Sequence, residues 1–279
     1  MKKYIITGLI IMLLIASTVQ AITYTINYKP VPLDFTHSVF AEECTATWCP
    51  NCPTAAEALH NIYQSGDYPF YYVALVNDMS SIAKKRNSEY SFGIIKIIAF
   101  PTVYFDGGDT NFVGRESTVP LTETKYRSLI EQEGQRNPKQ PITMESYVIW
   151  EGNAKLTVTV NITNQGNLPY LGKIRSYVTE IVSRWEDYFG NPYHFALLDF
   201  AVNNIVLLMP KKTKIITGYF DGEANHGNLT FPDISSDNIM VISTISHWIP
   251  HYRIGYQSQT YTQRYFAHYV DQTIAAVPN

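Results

Sequence analysis

A pair of cysteines separated by two residues, Cys49 and Cys52, constrains this 279-residue chain more than any other sequence feature. Their spacing suits a disulfide that opens and closes in redox chemistry, and it equally suits one half of a zinc site. The only other cysteine is Cys44, so the cysteine content is not that of a multi-disulfide scaffold. The residues around the pair therefore have to distinguish redox chemistry from metal binding.

The composition indicates a folded, strand-rich protein of two domains. Apolar residues make up 46% of the chain, aromatic residues 14% and charged residues only 16%, which is unlike a disordered polypeptide. A chain of 279 residues is long enough for two compact cores. The formal net charge is −3 and no basic stripe with interleaved aromatic residues is present, so nucleic acid is not an expected partner.

The first residues have the pattern of a targeting segment. Lys2 and Lys3 precede an uncharged run at residues 4–19, and residues 19–21 offer small or modest side chains at the cleavage positions. A spanning helix needs about 20 apolar residues, so residues 1–21 are predicted to be a signal peptide or a membrane anchor. The protein is therefore expected outside the cytoplasm, secreted, in the cell envelope or associated with the membrane through its N-terminus.

The cysteine pair lies between a predicted strand at residues 37–44 and a predicted helix at residues 54–63. Proline next to each cysteine is tolerated in a first helical turn, because the missing N–H would have no partner there. A helix N-terminus lowers the pKa of a thiol, which makes Cys49 the expected attacking sulfur. Cys52, expected one turn inside the helix, would displace the partner and reclose the disulfide.

Strands and helices alternate through the rest of this region. Apolar runs predict strands at residues 22–28, 68–77, 103–105 and 111–113, and helical spacing predicts helices at residues 81–90 and 121–134. The near-continuous apolar character of residues 68–77 is typical of a parallel strand covered on both faces. Lys84, Lys85 and Arg86 are interpreted as the solvated face of a helix.

Four short motifs have the order and spacing of a known superfamily. They are Glu42-Glu43-Cys44 at a strand end, the run at residues 47–53, Phe100-Pro101-Thr102, and Val113-Gly114 before the last helix. On these motifs, residues from about 36 to 134 resemble the thioredoxin-like superfamily. The resemblance implies a cis peptide bond before Pro101, close to the redox disulfide. Substrate binding is assigned to Trp48, Phe100, Pro101 and Thr102.

The resemblance also implies an acidic residue that serves the second cysteine as a base. Glu43 stands six residues before Cys49, where such a residue is found. Burial in an apolar strand would raise its pKa and allow it to accept the Cys52 proton near pH 7. Strand alternation sends Glu42 to the opposite face, where it is expected to reach solvent. Cys44 is expected to be a small buried residue, with a third redox thiol and a metal ligand as alternatives.

Beyond a proline-containing linker at residues 138–141, the period changes to that of strands. Alternation and β-branched content predict strands at residues 142–150, 155–163, 173–182, 214–220, 239–246 and 265–277. They indicate an immunoglobulin-like β-sandwich at residues 142–279, after a thioredoxin-like domain at residues 22–137. The predicted fold class is thus an α/β thioredoxin-like fold followed by an all-β sandwich. This order and length resemble exported thioredoxin-fold proteins with a C-terminal immunoglobulin-like domain.

Two side-chain groups in the second region are interpreted as structural. Trp185, Tyr188 and Phe189 would suit a binding edge, but aromatic residues at strand ends are more often core. His247 and His251 are four residues apart, and the intervening Pro250 breaks the helix that would bring them together. No zinc site is therefore expected there.

These observations favour an exported thiol-disulfide oxidoreductase acting on protein or peptide thiols, with no cofactor besides the Cys49–Cys52 disulfide. Its expected partners are protein thiols or disulfides and a redox partner protein. One alternative is a surface binding protein in which the two cysteines form only a structural disulfide. Another is copper(I) delivery, with the cysteines as soft ligands.

Overall fold

Strand β1 (Val39–Thr45) leads into the cysteine motif, and all of its residues are buried. It pairs in parallel with β2 (Phe70–Val76) and antiparallel with β3 (Thr102–Phe105), which pairs in turn with β4 (Thr110–Val113). The prediction that residues 68–77 contain a parallel strand covered on both faces is therefore confirmed.

The computed structural model describes residues 35–92, 99–257 and 262–279. The predicted targeting segment and the predicted strand at residues 22–28 lie outside the described residues. The helices are α1 (Cys52–Ser65), α2 (Ser81–Ser88) and α3 (Val119–Gly134), each overlapping a predicted helix. Within the described residues, no helix has both the length and the apolar character needed to cross a membrane.

The second half of the described chain consists of strands, apart from one short 3-10 turn at Ser236–Asn238. The strands are β5 (Ile142–Gly152), β6 (Lys155–Asn164), β7 (Tyr170–Glu186), β8 (Pro192–Leu208), β9 (Thr213–Asp221), β10 (Ile239–His247), β11 (His251–Gln257), β12 (Thr262–Ala267) and β13 (Val270–Ala276). The single strand predicted at residues 265–277 is thus two strands with a two-residue break between them.

The predicted fold class, an α/β thioredoxin-like fold followed by a separate all-β immunoglobulin-like sandwich, is wrong. The described chain is mostly β, with 49% strand and 17% helix. Its largest sheet has eight strands in the order β13-β10-β7-β8-β2-β1-β3-β4, so both halves of the chain share one sheet. The other strands form a three-stranded sheet, β5-β6-β9, and the hairpin β11-β12. The domain boundaries around residues 138–141 stay a prediction.

Strand β8 joins the two halves, and its sequence pattern does not predict it. It runs antiparallel to β7 over most of its length and pairs in parallel with β2 where Ala74 meets Ala196. Register shifts interrupt its pairing with β7, and the exposed Asn203-Asn204 pair interrupts its apolar residues. Because no single period of two runs through the strand, alternation fails to identify it.

Side chains from the second half of the chain contact β1 on both of its faces. Tyr177 of β7 packs against Phe40 of β1 with 5.1 Å between ring centroids, and its hydroxyl donates to Glu42 at 3.0 Å. Tyr193 of β8 forms a hydrogen bond with Thr45 at the other end of β1, at 3.0 Å. Both halves of the chain therefore build the surroundings of the strand that precedes the cysteine motif.

A buried ion pair between Glu42 and Arg86 contradicts two of the sequence expectations. Arg86 of α2 donates from Nε and Nη2 to the two carboxyl oxygens of Glu42, at 2.7 and 2.5 Å. The Tyr90 hydroxyl donates to the same carboxylate at 2.5 Å. The expected solvated position of Arg86 and the expected solvent contact of Glu42 are both wrong, because α2 packs this face onto β1. Lys84 and Lys85 are exposed as expected.

Replacing Arg86 should destabilise the fold strongly. Arg86→Met leaves Glu42 buried without its cation, so the free energy of unfolding should fall by about 3 to 5 kcal/mol. Urea unfolding followed by circular dichroism measures it. Lys85→Met is the matched control, since this exposed neighbour on the same helix should change stability by no more than about 0.5 kcal/mol. Equal effects of the two substitutions would contradict the assigned ion pair.

Candidate functional site

The two cysteines of the motif form a disulfide at the beginning of α1. Asn51 is the N-cap of α1 and Cys52 is its first residue, so Cys52 begins the helix rather than lying one turn inside it. The backbone N–H of Cys52 donates to the carbonyl of Cys49 at 3.2 Å. The disulfide thus lies at the helix end whose unpaired N–H groups stabilise a thiolate.

The disulfide is almost completely covered. Cys49 is 3% exposed and Cys52 is fully buried, whereas Trp48 beside them is 60% exposed. Phe100 packs against the two cysteines and meets the edge of the Trp48 ring at 5.9 Å between centroids. These two aromatic side chains form the surface next to Cys49.

Two other residues assigned to substrate binding lie deeper. The Phe100–Pro101 peptide bond is cis, as the resemblance implies, and Pro101 is buried. Thr102 is also buried, and its hydroxyl donates to the Ala99 carbonyl at 2.7 Å. The structure therefore brings Trp48 and Phe100 together beside the disulfide and places Thr102 below the surface.

Glu43 is a fully buried carboxyl group on the strand before the motif. Within the described part of the chain, neither of its oxygens has a hydrogen-bond partner of normal geometry. Burial raises its pKa from 4.5 to about 8, the Thr45 side chain partly opposes this shift, and the Asp187 charge adds to it. A carboxyl group with this pKa changes between its acid and base forms near neutral pH.

The face of β1 that carries Glu43 is the face toward α1 and α3. Glu43 pairs with Ala74 of β2, so Tyr72, two residues earlier in β2, lies on the same face of the sheet. The Tyr72 hydroxyl is 3.4 Å from Nδ1 of His60 in α1. Burial and then the Glu43 charge raise the pKa of Tyr72 and of Tyr126 in α3. Glu43 and the cysteine-bearing helix are therefore on the same side of the sheet.

Cys44 is a free, buried cysteine on the opposite face, which confirms the expectation for this residue. Its thiol donates to Oδ1 of Asn87 in α2 at 2.7 Å. Burial, followed by the Glu42 charge, raises the pKa of the thiol well above its usual range. Such a thiol is a poor nucleophile, so the surroundings of Cys44 are those of a structural cysteine rather than a reactive one.

Three side chains that sequence reasoning missed hold the motif in place. Asp78 accepts hydrogen bonds from the backbone N–H and hydroxyl of Thr47, at 3.1 and 2.5 Å. Arg115 donates from Nε to the side chain of Asn51, between the cysteines, at 3.1 Å. Tyr193 donates to the backbone carbonyl just before Thr47 at 3.2 Å. No sequence signal identifies them, because they converge on the motif only through tertiary structure.

A cleft of about 370 Å³ opens beside the first turns of α1 and faces the turn between β7 and β8. Its lining includes Pro53, Glu57, His60, Asp187, Phe189 and His194. The rings of His60 and His194 stack with 3.5 Å between centroids. Burial and the neighbouring histidine lower the pKa of His60 to about 4, so this ring is neutral at pH 7.

The aromatic residues near this cleft differ from one another in exposure. Trp185 is buried, in agreement with the expectation of a core residue. Tyr188 and Phe189 are 53% and 68% exposed, so the same expectation is wrong for them. They lie in the turn that follows β7, where no second layer covers them.

His247 and His251 meet although Pro250 prevents a helix between them. Their Nε2 atoms are 2.9 Å apart, and Nδ1 of His247 is 2.9 Å from the buried carboxylate of Asp271. The expectation that Pro250 keeps the two histidines apart is therefore wrong. His247 ends β10 and His251 begins β11, and the two strand ends bring the rings together. Among residues 35–92, 99–257 and 262–279, no group of three histidine, cysteine, aspartate or glutamate side chains is arranged to hold a metal ion.

Comparison with known proteins identifies a structural neighbour at low sequence identity. No protein family model and no curated protein matches the chain. HBP35 of Porphyromonas gingivalis is similar over 88% of this chain and 76% of its own, with 12% identity and a TM-score of 0.58. A structural-genomics protein from Agrobacterium tumefaciens covers 87% of this chain and 95% of its own, with 13% identity and a TM-score of 0.49. The likeness to HBP35 shows a shared fold.

The stability of the protein should decrease with pH through the titration of Glu43. Between pH 4.5 and about 8 the folded state holds a proton on Glu43 that the unfolded state has lost, so the free energy of unfolding falls as pH rises. Glu43→Gln should remove a slope of up to about 1.4 kcal/mol per pH unit. Urea unfolding at several pH values between about 5.5 and 7.5 measures this slope.

Glu133 provides an internal comparison for this measurement. It is buried in α3, and burial and then the Asp106 charge raise its pKa to about 8. Glu133→Gln should therefore remove a similar part of the slope, and the two substitutions together should remove more than either alone. An unchanged slope in Glu43→Gln would mean that Glu43 is ionised in the folded protein at neutral pH.

Proposed function

We propose that this chain is an exported thiol-disulfide oxidoreductase that acts on protein or peptide thiols through Cys49 and Cys52. One observation carries the proposal: a disulfide at a helix N-terminus lies on the same side of the sheet as a buried carboxyl group with a pKa of about 8. A disulfide that only cross-links the chain requires no nearby base. A disulfide that exchanges with a substrate requires a group that takes the proton of the second thiol.

The surroundings of the disulfide support this proposal. The order β1, α1, β2, α2, β3, β4 and α3 agrees with the order of elements predicted around the cysteine pair. Phe100 packs against the disulfide, and the peptide bond that follows it is cis. Trp48 is exposed next to it and offers an apolar surface to an incoming peptide.

The proposed reaction begins with the reduced protein. The Cys49 thiolate attacks one sulfur of a substrate disulfide, the substrate S–S bond breaks, and the released substrate thiolate takes a proton from water. A mixed disulfide now joins Cys49 to the substrate. The helix N-terminus favours the Cys49 thiolate, and the Arg115 guanidinium bound to Asn51 adds positive charge beside the motif.

The second step closes the disulfide of the protein. The Cys52 thiol gives its proton to the Glu43 carboxylate, and the Cys52 sulfur attacks Cys49. The bond between Cys49 and the substrate breaks as the Cys49–Cys52 bond forms, and the substrate leaves as a second thiol. Two electrons have then passed from the protein to the substrate. The reverse steps oxidise a substrate dithiol, and the reduction potential of the pair sets the direction.

A redox partner protein completes the cycle. Its dithiol would reduce the Cys49–Cys52 disulfide, or its disulfide would oxidise the two thiols, according to that direction. No cofactor besides the disulfide takes part. A reduction potential near about −270 mV would assign the protein as a reductase, and one near about −120 mV as an oxidant.

A structural disulfide in a surface binding protein is the second candidate function. The observation that favours it is the burial of the pair, with Cys49 only 3% exposed and Cys52 fully buried. Covered disulfides are slow to react with reductants, because the attacking thiolate needs access to a sulfur. The two candidates therefore differ in how the disulfide responds to a peptide thiol.

A Cys52→Ser variant should accumulate a mixed disulfide. Its Cys49 can attack a substrate disulfide but has no second thiol to release the product, so the complex persists. Incubation with intact, disulfide-bonded insulin, followed by non-reducing electrophoresis and mass spectrometry, should detect a Cys49-linked adduct. Cys44→Ser, which removes only the buried thiol, should behave as the wild type does.

No adduct with Cys52→Ser, together with a wild-type disulfide that resists millimolar dithiol reductant in the folded protein, would falsify the redox proposal in favour of the structural disulfide.

Glu43→Gln should slow release of the substrate without preventing its capture. The amide cannot accept the Cys52 proton, so decay of a preformed mixed disulfide at pH 7 should slow by about 100-fold. In the wild type the decay should accelerate as pH rises toward about 8, where Glu43 becomes the carboxylate. Glu133→Gln, which replaces a second buried glutamate, should decay at the wild-type rate. Equal rates for Glu43→Gln and wild type would exclude Glu43 as the base.

A further inference from the structure

Seven apolar side chains form an exposed surface where four segments of the second half of the chain adjoin. We call it the strand-end surface, and its apolar members, between 44% and 64% exposed, are Leu168, Leu171, Ile205, Leu207, Met209, Trp248 and Ile249. They come from the turns before β7, after β8 and after β10, and from the adjoining ends of β7 and β8. Single exposed apolar residues are ordinary on protein surfaces, but a cluster of this size indicates a binding surface.

Backbone contacts hold these segments side by side. Leu171 of β7 pairs directly with Leu207 of β8, and the backbone N–H of Trp248 donates to the Leu171 carbonyl at 3.0 Å. The side chain of Asn164 donates to the carbonyls of Leu168 and Leu208, at 2.8 and 3.3 Å. The apolar residues therefore lie on one continuous, fixed surface rather than on independent loops.

A shallow groove of about 410 Å³ crosses this surface. Leu168, Leu171, Trp248 and Ile249 line it together with the stem of Lys139. Val206 and Leu208, which alternate with the exposed residues of β8, are buried in the core. The exposed apolar residues of β8 are therefore not needed for the core, because the alternate residues of the strand already face inward.

The charges around the strand-end surface have one sign. Residues 137–142, 164–172, 203–214 and 247–250 contain four lysines and no aspartate or glutamate, although the whole chain has a net charge of −3. The lysines are Lys139, Lys211, Lys212 and Lys214, and all of them are exposed.

Two carboxylates of neighbouring elements are already engaged. Asp271 is buried and accepts from Arg136 at 3.0 Å, with His247 at 2.9 Å. Asp109 accepts from Arg253 at 2.7 Å. Neither carboxylate therefore offsets the exposed lysines.

We infer that the strand-end surface docks on an anionic lipid bilayer. Leucine, isoleucine, methionine and tryptophan side chains on turns can enter the boundary between headgroups and acyl chains, where apolar burial favours binding. Lysines at the rim keep their charge at the level of anionic headgroups, and each contributes roughly fivefold in affinity near such a surface. An acidic protein partner would match the lysines but not the seven apolar side chains.

Local fluorescence on the full chain tests this inference. A Leu168→Cys variant with an environment-sensitive fluorophore reports on the surface itself, since Cys44 is buried and the other two cysteines are disulfide-bonded. Vesicles of phosphatidylcholine with roughly 30% phosphatidylglycerol should shift its emission to the blue. The same label in Tyr219→Cys, an exposed residue of the three-stranded sheet, should not shift.

Charge reversal gives the electrostatic part of the test. Lys211→Glu with Lys212→Glu should weaken vesicle partitioning of the labelled protein by at least about 30-fold, and pure phosphatidylcholine should bind it weakly. Lys84→Glu with Lys125→Glu, at exposed positions of α2 and α3, should have little effect. Cys49→Ser should bind vesicles as the wild type does, so the outcome is independent of the redox proposal.

Three outcomes would overturn the inference. Vesicle binding without a shift in the emission of the label at residue 168 would assign lipid binding to another part of the chain. A shift that survives the Lys211 and Lys212 reversal and occurs equally on phosphatidylcholine would exclude anionic lipid as the ligand. A concentration-dependent shift without vesicles, with a dimer seen by light scattering, would assign the surface to a second copy of the chain.

Discussion

Two adjacent carboxyl groups on a fully buried strand determine how the rest of this structure is arranged. Glu42 and Glu43 occupy consecutive positions of β1, so their side chains lie on opposite faces of the sheet. Glu42 is surrounded by Arg86, Tyr90 and Tyr177, which provide a cation and hydroxyl donors. Within the described residues, the Glu43 oxygens have no hydrogen-bond partner of normal geometry, and burial raises the pKa of this carboxyl group to about 8. One strand thus carries on one face a carboxyl group that is paired with Arg86, and on the other face a buried carboxyl group whose pKa is raised to about 8.

The sequence predicts the surroundings of the cysteine pair well because the signals there are local. The helix after Cys49 follows from proline placement and apolar spacing, and the parallel strand β2 follows from its continuous apolar residues. The buried Glu43 and the cis bond at Pro101 follow from the thioredoxin-like resemblance at the motifs themselves. Each of these features depends on residues within a short stretch of chain.

Features that depend on contacts between residues far apart in the sequence are not predicted by local sequence patterns. Arg86 belongs to a helix with an ordinary charged pattern, and only the packing of α2 on β1 turns it inward. His247 and His251 converge through the ends of two strands, which no local period encodes. Strand β8 has irregular pairing and a mixed pattern, so the sheet that it completes is not evident from any one segment. The sequence predicts a separate sandwich because no local pattern predicts β8, the strand that joins the two halves in one sheet.

The pairing of β2 with β8 also bears on how the chain can be divided. Without the second half, β2 would lose its pairing with β8 at Ala74 and would become the edge strand of its sheet, and an apolar edge strand is a template for aggregation. The face of β1 now covered by Tyr177 would be open to water, and the Glu42 carboxylate would lose one of its donors. The cysteine motif is thus contiguous in sequence, while part of the scaffold around it is supplied by residues more than a hundred positions farther along the chain.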